Sequence, residues 1–98
     1  MKWIVEIIKI EPYKVTCKWN DNDIKIVDLY DFILDKSKNP NNSYSQLLNK
    51  DKFIGAKCDG TTIYWENGIE YKDLDGKIKP GPLDIAPEFL YEISTPAS

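Results

Sequence analysis

A chain of 98 residues, 42% hydrophobic and 30% charged, has room for a single domain (1–98) around one thin core, since a chain of this size buries only roughly 60% of its unfolded surface. Thirteen basic residues against sixteen acidic ones leave a net charge of -3, and the lysines stand singly or one apart (Lys36 and Lys38, Lys50 and Lys52, Lys77 and Lys79), so no basic stripe can follow a phosphate backbone and direct nucleic-acid binding is not expected. Histidine is absent, which removes Ser-His and Cys-His nucleophile pairs, His-ligated zinc and an imidazole switch near neutral pH.

At the N-terminus Glu6 interrupts the apolar residues before a signal-peptide core can form, and no apolar run exceeds three residues. Neither export nor membrane spanning is expected, and the cytoplasm is the expected location. Residues 3–11 alternate imperfectly, with Trp3, Val5 and Ile7 opposed by Ile4, Ile8 and Ile10, as in a strand covered on both faces. Pro12 ends it. From Tyr13 the alternation is clean: Tyr13, Val15, Cys17 and Trp19 face one way, Lys14, Thr16 and Lys18 the other. Read as a four-residue hairpin loop, Asn20 to Asp23 sets Trp19 opposite Ile24 and Cys17 opposite Ile26. The same register sets Asp28 opposite Val15. That carboxylate either breaks the strand at a bulge, turning Val27 and Leu29 inward, or accepts backbone N–H groups of the following turn, the preferred reading.

Residues 31–35 suit a buried helical turn, and 36–42 a polar loop around Pro40. Ser43-Tyr44-Ser45-Gln46 matches a capping box, with the Ser43 hydroxyl on the Gln46 N–H, and predicts a helix over 44–50 that turns Tyr44, Leu47 and Leu48 to the sheet. Three turn dipeptides follow at eight-residue spacing, Asp59-Gly60, Asn67-Gly68 and Asp75-Gly76, and predict an antiparallel meander. A two-residue turn at Asp59-Gly60 pairs Cys58 with Thr61, Ala56 with Ile63 and Ile54 with Trp65. A three-residue loop, Glu66-Asn67-Gly68 with Gly68 left-handed, pairs Trp65 with Ile69 and Ile63 with Tyr71. Asp75-Gly76 closes a hairpin over 69–79, and Pro80-Gly81-Pro82 ends pairing. Pro87 fits the first turn of a helix with Phe89, Leu90 and Ile93 on its apolar stripe, and residues after Ser94 should fray. The expected fold class is α+β: an antiparallel meander sheet with one or two short helices packed on it.

Little in this chain suggests chemistry. Cys17 and Cys58 fall in step with apolar neighbours and read as buried free thiols, and their wide separation makes no zinc motif. Asn20 to Asp23 lacks the glycine and distal glutamate of a calcium loop and reads as a hairpin turn. Glu66 and Glu70 read as solvated charges rather than an acid/base pair. Three tryptophans and six tyrosines read as core filling; lining a ligand pocket instead, Trp65 and Tyr91 would close it. No catalytic residue, metal ligand or cofactor is expected, and an enzyme is the least favoured reading.

The segments Leu47-Leu48-Asn49-Lys50-Asp51-Lys52-Phe53, Thr62-Ile63-Tyr64-Trp65-Glu66-Asn67-Gly68 and Asp84-Ile85-Ala86-Pro87-Glu88-Phe89-Leu90-Tyr91 resemble the small bacterial family catalogued as domain of unknown function 2442. Pro12-Tyr13, an amphipathic strand, a polar hairpin and Val27-Asp28-Leu29 fit its first half. The chain departs from it at Glu66, where proline is frequent, and over 71–82, which reads as a hairpin insertion. The resemblance implies an α+β fold without established enzymatic activity. Some relatives are encoded beside a small toxin-like protein and regarded as its antitoxin; others carry a helix-turn-helix after this domain. Any DNA binding by this chain would therefore come from a partner or an oligomer. The expected role is the antitoxin half of a pair, binding a small, basic, nearby-encoded protein through Glu66, Glu70, Asp73 and Asp75; a small-ligand sensor is the alternative. Homodimer formation through a free sheet edge is also expected. Asp28, Ser43, Trp65, Asn67, Gly68, Pro87 and Tyr91 are the residues expected to carry structure.

Overall fold

The alternation from Lys14 to Trp19 builds the centre of the first of two antiparallel sheets. In the computed structural model, which describes residues 1–97 apart from the side chains of Asn67 and Tyr71, the elements in chain order are β1 (Ile4–Glu11), β2 (Lys14–Trp19), β3 (Ile24–Asp28), α1 (Tyr30–Lys36), a 3-10 segment (Ser43–Leu48), α2 (Lys50–Phe53), β4 (Lys57–Cys58), β5 (Ile63–Lys72), β6 (Ile78–Asp84), α3 (Pro87–Ile93) and β7 (Thr95–Pro96). One sheet has the order β1-β2-β3-β7, the other β4-β5-β6. The fold is α+β. Both sheets and the helices feed one core: Ile4, Val15, Cys17, Trp19 and Val27 from the first sheet, Ile63, Trp65 and Leu83 from the second, and Ile33, Leu47, Phe53 and Leu90 from the helices and the 3-10 segment.

The β2–β3 register differs by one residue from the expected one. Val15 faces Val27 and Cys17 faces Lys25, because the loop is Asn20-Asp21-Asn22: Asn22 N–H donates to the Trp19 carbonyl (2.9 Å) and Trp19 N–H to the Asp23 carbonyl (2.8 Å). Asn22 takes the left-handed conformation (φ 70) usually given to glycine at this bulge, and Asp21 Oδ1 accepts the Asp23 N–H (3.0 Å). A one-residue slip sends every side chain to the other face, so Val27 is fully buried while Ile24 is 45% exposed. Asp28 accepts the Tyr30 N–H (3.0 Å), as preferred from the sequence, and Val27 and Leu29 turn inward without a bulge.

Strand β1 is not covered on both faces. It is the edge of its sheet and slips register twice against β2, at Val5 and at Ile8, and both side chains are exposed. Bulges of this kind bend an edge away from flat pairing.

Between the sheets, α1 extends the expected turn at both ends but fully buries only Ile33, leaving Leu34 exposed. The capping box does not form. Asn42 is the cap, its side chain accepting the Tyr44 N–H (2.9 Å), and a second cap at Asn49 accepts the Lys52 N–H (3.2 Å), so the single helix over 44–50 becomes two short pieces. The Gln46 amide donates to the Ser43 carbonyl (2.9 Å) and to the Gly68 carbonyl. Asn42→Ala should therefore lower stability by about 1 kcal/mol, while Ser43→Ala, whose hydroxyl makes no hydrogen bond among the described residues, stays within about 0.5 kcal/mol of wild type. Urea midpoints in the opposite order would restore the capping box.

In the second sheet the Asp59 turn spans four residues. Asp59 Oδ1 accepts the Thr61 and Thr62 N–H groups (2.9 Å each), so Cys58 pairs with Ile63 and Lys57 with Tyr64, not Cys58 with Thr61. The larger correction is at Glu66-Asn67-Gly68, which is no turn: β5 runs straight through it, and positive φ belongs to Gly60 and Gly76. Trp65 pairs with Leu83 and Ile69 with Gly81, so three residues of β5 face Pro82 alone in an enlarged bulge. At Asp75-Gly76 the expected hairpin is present. Gly76 N–H donates to the Asp73 carbonyl (2.9 Å), Asp73 N–H to the Lys77 carbonyl (2.8 Å), and Asp75 Oδ1 accepts the Lys77 N–H (3.0 Å), repeating the Asn20-Asp21-Asn22 device bond for bond.

Segment 71–82 is thus the end of β5, its turn and most of β6. Pro80 and Pro82 do not end pairing, because β6 is an edge strand. Counting alternate positions from the Asp73–Lys77 bond aims the nitrogens of residues 78, 80 and 82 away from β5, where proline loses no ladder bond.

Pro87 opens α3 as expected, and Leu90 is fully buried. Residues 95–97 do not fray: β7 pairs Thr95 with Ile26 and Pro96 with Lys25, and Ala97 N–H donates to the Ile24 carbonyl (3.3 Å). The β3 edge supplies their partners; Ser98 lies outside the described residues.

Candidate functional site

The four carboxylates expected to meet a partner all lie on β5 and its turn, but most are engaged within the chain. Glu66 pairs with Lys57 (3.0 Å). Asp73 and Asp75 share Lys79, the latter at 3.9 Å, and the Lys79 contact, with the Leu74 N–H, holds the Asp73 carboxyl below the usual carboxylate range. Both aspartates also accept backbone N–H groups of the turn, so their first role is to fold the hairpin. Glu70 is exposed and faces Pro80 across the strands. Such exposed pairs contribute little stability, but together with Lys72 and Lys77 they offset the acidic field the hairpin offers. Its tip offers something else: Leu74 is 105% exposed and Ile78 70%. The sequence reading passed over both, although a leucine between two turn aspartates was the available signal.

Trp65 and Tyr91 do not share a pocket. Trp65 is buried, donates its indole N–H to the Phe53 carbonyl (2.9 Å) and packs with its ring 5.8 Å from that of Phe53. Tyr91 stands edge-on to Trp19 (5.0 Å, 82°), with the Lys25 and Lys2 ammonium groups 4.1 and 5.0 Å from its ring centre. An open cavity of about 380 Å³ borders Trp65 and is lined with Gln46, Lys52, Lys57, Glu66 and Gly68, not with Tyr91.

Cys17 and Cys58 are free thiols, Cys17 fully buried and Cys58 partly so. Burial, aided by the proximity of Cys58, pushes the Cys17 thiol up to about 12; burial also raises Cys58, whose Sγ–H donates to the Ile4 carbonyl (3.4 Å) while Sγ accepts the Gly60 N–H (3.4 Å). Two outcomes are expected. Native alkylation at pH 8 should label Cys58 first, with Cys17 labelled only in urea, since a thiol at about 12 is roughly 10⁻⁴ ionised there. Stability should also fall as pH rises from 9.0, the unfolded value, towards about 12, because only the unfolded chain releases the Cys17 proton in that window; Cys17→Ala should flatten this slope. Native labelling of Cys17 as fast as Cys58 would contradict the burial.

Among the described residues no three His, Cys, Asp or Glu side chains converge as a metal site, and no helix is long and apolar enough to cross a membrane. Comparison with known protein families, with curated proteins and with solved structures gives no match to this chain.

Proposed function

We propose that the chain is a non-enzymatic protein-binding module, the antitoxin-like partner of a small basic protein encoded nearby. The observation that supports it is the β5–β6 hairpin, which holds Leu74 and Ile78 in water at the tip of a bonded turn. Burial of those two side chains is worth about 1.5–3 kcal/mol each, a favourable contribution to holding a partner. The edge of β6 is poorly suited to strand addition, because proline occupies two of its four outward positions, 78, 80, 82 and 84, so contact through side chains replaces the backbone ladder expected from the sequence. Homodimerisation would face the same constraint at β6 and the bulges at β1. Two free thiols suit a reducing compartment, and we place the protein in the cytoplasm.

Co-expression with the product of the adjacent open reading frame tests this reading. A complex should survive moderate salt, relieve any growth arrest the neighbour causes, and be lost in Leu74→Asp. A sensor is the second reading, favoured by the cavity bordering Trp65. It takes over if the neighbour neither copurifies nor is toxic while a metabolite screen raises the melting temperature.

A further inference from the structure

The chain carries a second uncovered surface, on the side built by α1, α3 and the end of β3. Phe32 and Phe89 meet there with ring centroids 5.1 Å apart, Ile93 continues the floor one turn along α3, and Asp28 and Asp31 complete the lining of an open groove of about 480 Å³. Tyr44 ties the region to the second sheet, its ring against Phe32 (5.2 Å) and its hydroxyl donating to the Asp84 carbonyl (2.6 Å).

Charge is concentrated in the same segments. Over 28–38 and 84–93 the six acids Asp28, Asp31, Asp35, Asp84, Glu88 and Glu92 stand against Lys36 and Lys38. Six against two leaves four negative charges, more than the -3 of the whole chain, so the remaining residues together are slightly basic. A field of this sign repels nucleic acid and attracts a cation. Phe32 already has a cation of its own chain against its ring, the Lys36 ammonium lying 5.6 Å from the ring centre.

We infer that this groove docks a basic, arginine-bearing segment of the protein partner. The inference rests on the protein-binding reading above and names the chemistry of the partner. The aliphatic stem of an arginine covers Phe89 and Ile93 while its guanidinium lies over Phe32 and reaches the carboxylates of Asp28 and Asp31. Arginine fits better than lysine because its planar fork both stacks on an aromatic ring and spans a carboxylate. Asp28 commits Oδ1 to the Tyr30 N–H and keeps Oδ2 for the ligand.

The test is an NMR titration of the full ¹⁵N-labelled chain with a blocked amphipathic peptide of leucine and arginine, and with its glutamate counterpart. Saturable shifts should centre on Asp31, Phe32, Phe89 and Ile93 for the arginine peptide alone. Asp31→Lys should weaken binding about tenfold or more, whereas Glu70→Lys, the same charge change on the hairpin, should alter it no more than about twofold. Both are exposed positions, and unchanged melting curves confirm that the variants fold. Shifts centred elsewhere, no saturation, or equal weakening by both variants would overturn the groove. The two proposals fail separately: a neighbour complex that forms undiminished with Asp31→Lys keeps the binding role and removes the groove, while failure to copurify removes the role whatever the peptide does.

Discussion

Trp65→Ala should cost about 3–5 kcal/mol, the range for removing a large buried aromatic. In a domain whose whole stability is about 5–15 kcal/mol, that is roughly a fifth or more of what holds it folded. The residue is 3% exposed, its ring packs on Phe53, and Phe53 in turn meets Tyr13 edge-on at 5.5 Å, so the cavity opens where α2 joins the second sheet to the first. Trp65→Phe isolates the polar contribution. It keeps a ring against Phe53 but deletes the indole N–H on the Phe53 carbonyl. That carbonyl still accepts the Ala56 N–H (3.2 Å) and is not orphaned, so a loss of about 1 kcal/mol from the bond, plus the smaller ring, is expected. Urea denaturation followed by circular dichroism should give the order wild type, Phe, Ala at constant m-value. A Trp65→Ala midpoint close to wild type would mean that this aromatic cluster does not join the two sheets.

How much of this was legible in the chain divides along the distance over which each feature is decided. Pro87 at the head of α3 and the Asp75-Gly76 hairpin are decided within a few residues, and both were readable. The first loop was a near miss: four residues from Asn20 to Asp23 allow two loop lengths one residue apart, and only the willingness of Asn22 to take a positive φ selects the shorter. Placing Val27 rather than Ile26 against the core then follows from the register. Nor could Ser43 be told from Asn42 as a cap by local pattern, since both are good capping residues and the Gln46 side chain that would have completed the box is drawn to the Gly68 carbonyl, far along the sequence. The candidate surfaces were least legible. Phe32 and Phe89 come from opposite halves of the chain, and only the packing of α1 beside α3 makes one groove of them; the acids of the hairpin were readable as acids but not as partners of Lys57 and Lys79.

Gly68→Ala should cost about 1–3 kcal/mol through overpacking, and the reason is not the one the Asn-Gly dipeptide suggests. A Cβ built on Gly68 would lie 2.5 Å from Leu83 Cβ and 3.1 Å from the Trp65 carbonyl oxygen. Neither neighbour is the free end of a side chain, so β5 and β6 would have to part across the bulge. Gly76 provides the contrast: its φ is 81 and nothing lies nearer than Lys72 Cε at 4.0 Å, so its requirement is conformational. Asparagine separates the two cases, because it tolerates the left-handed region but is bulkier than alanine. Gly76→Asn should cost less than Gly76→Ala, whereas Gly68→Asn should cost at least as much as Gly68→Ala. A double variant, Gly68→Ala with Leu83→Gly, removes the atom that collides, and its loss should fall below the sum of the two single losses. If asparagine rescues position 68 as it does 76, the left-handed loop read from the dipeptide returns and the straight passage of β5 through the bulge fails. If it does not, close approach of β6 is what requires glycine there, and the same approach sets the register that carries Leu74 and Ile78 out to the tip.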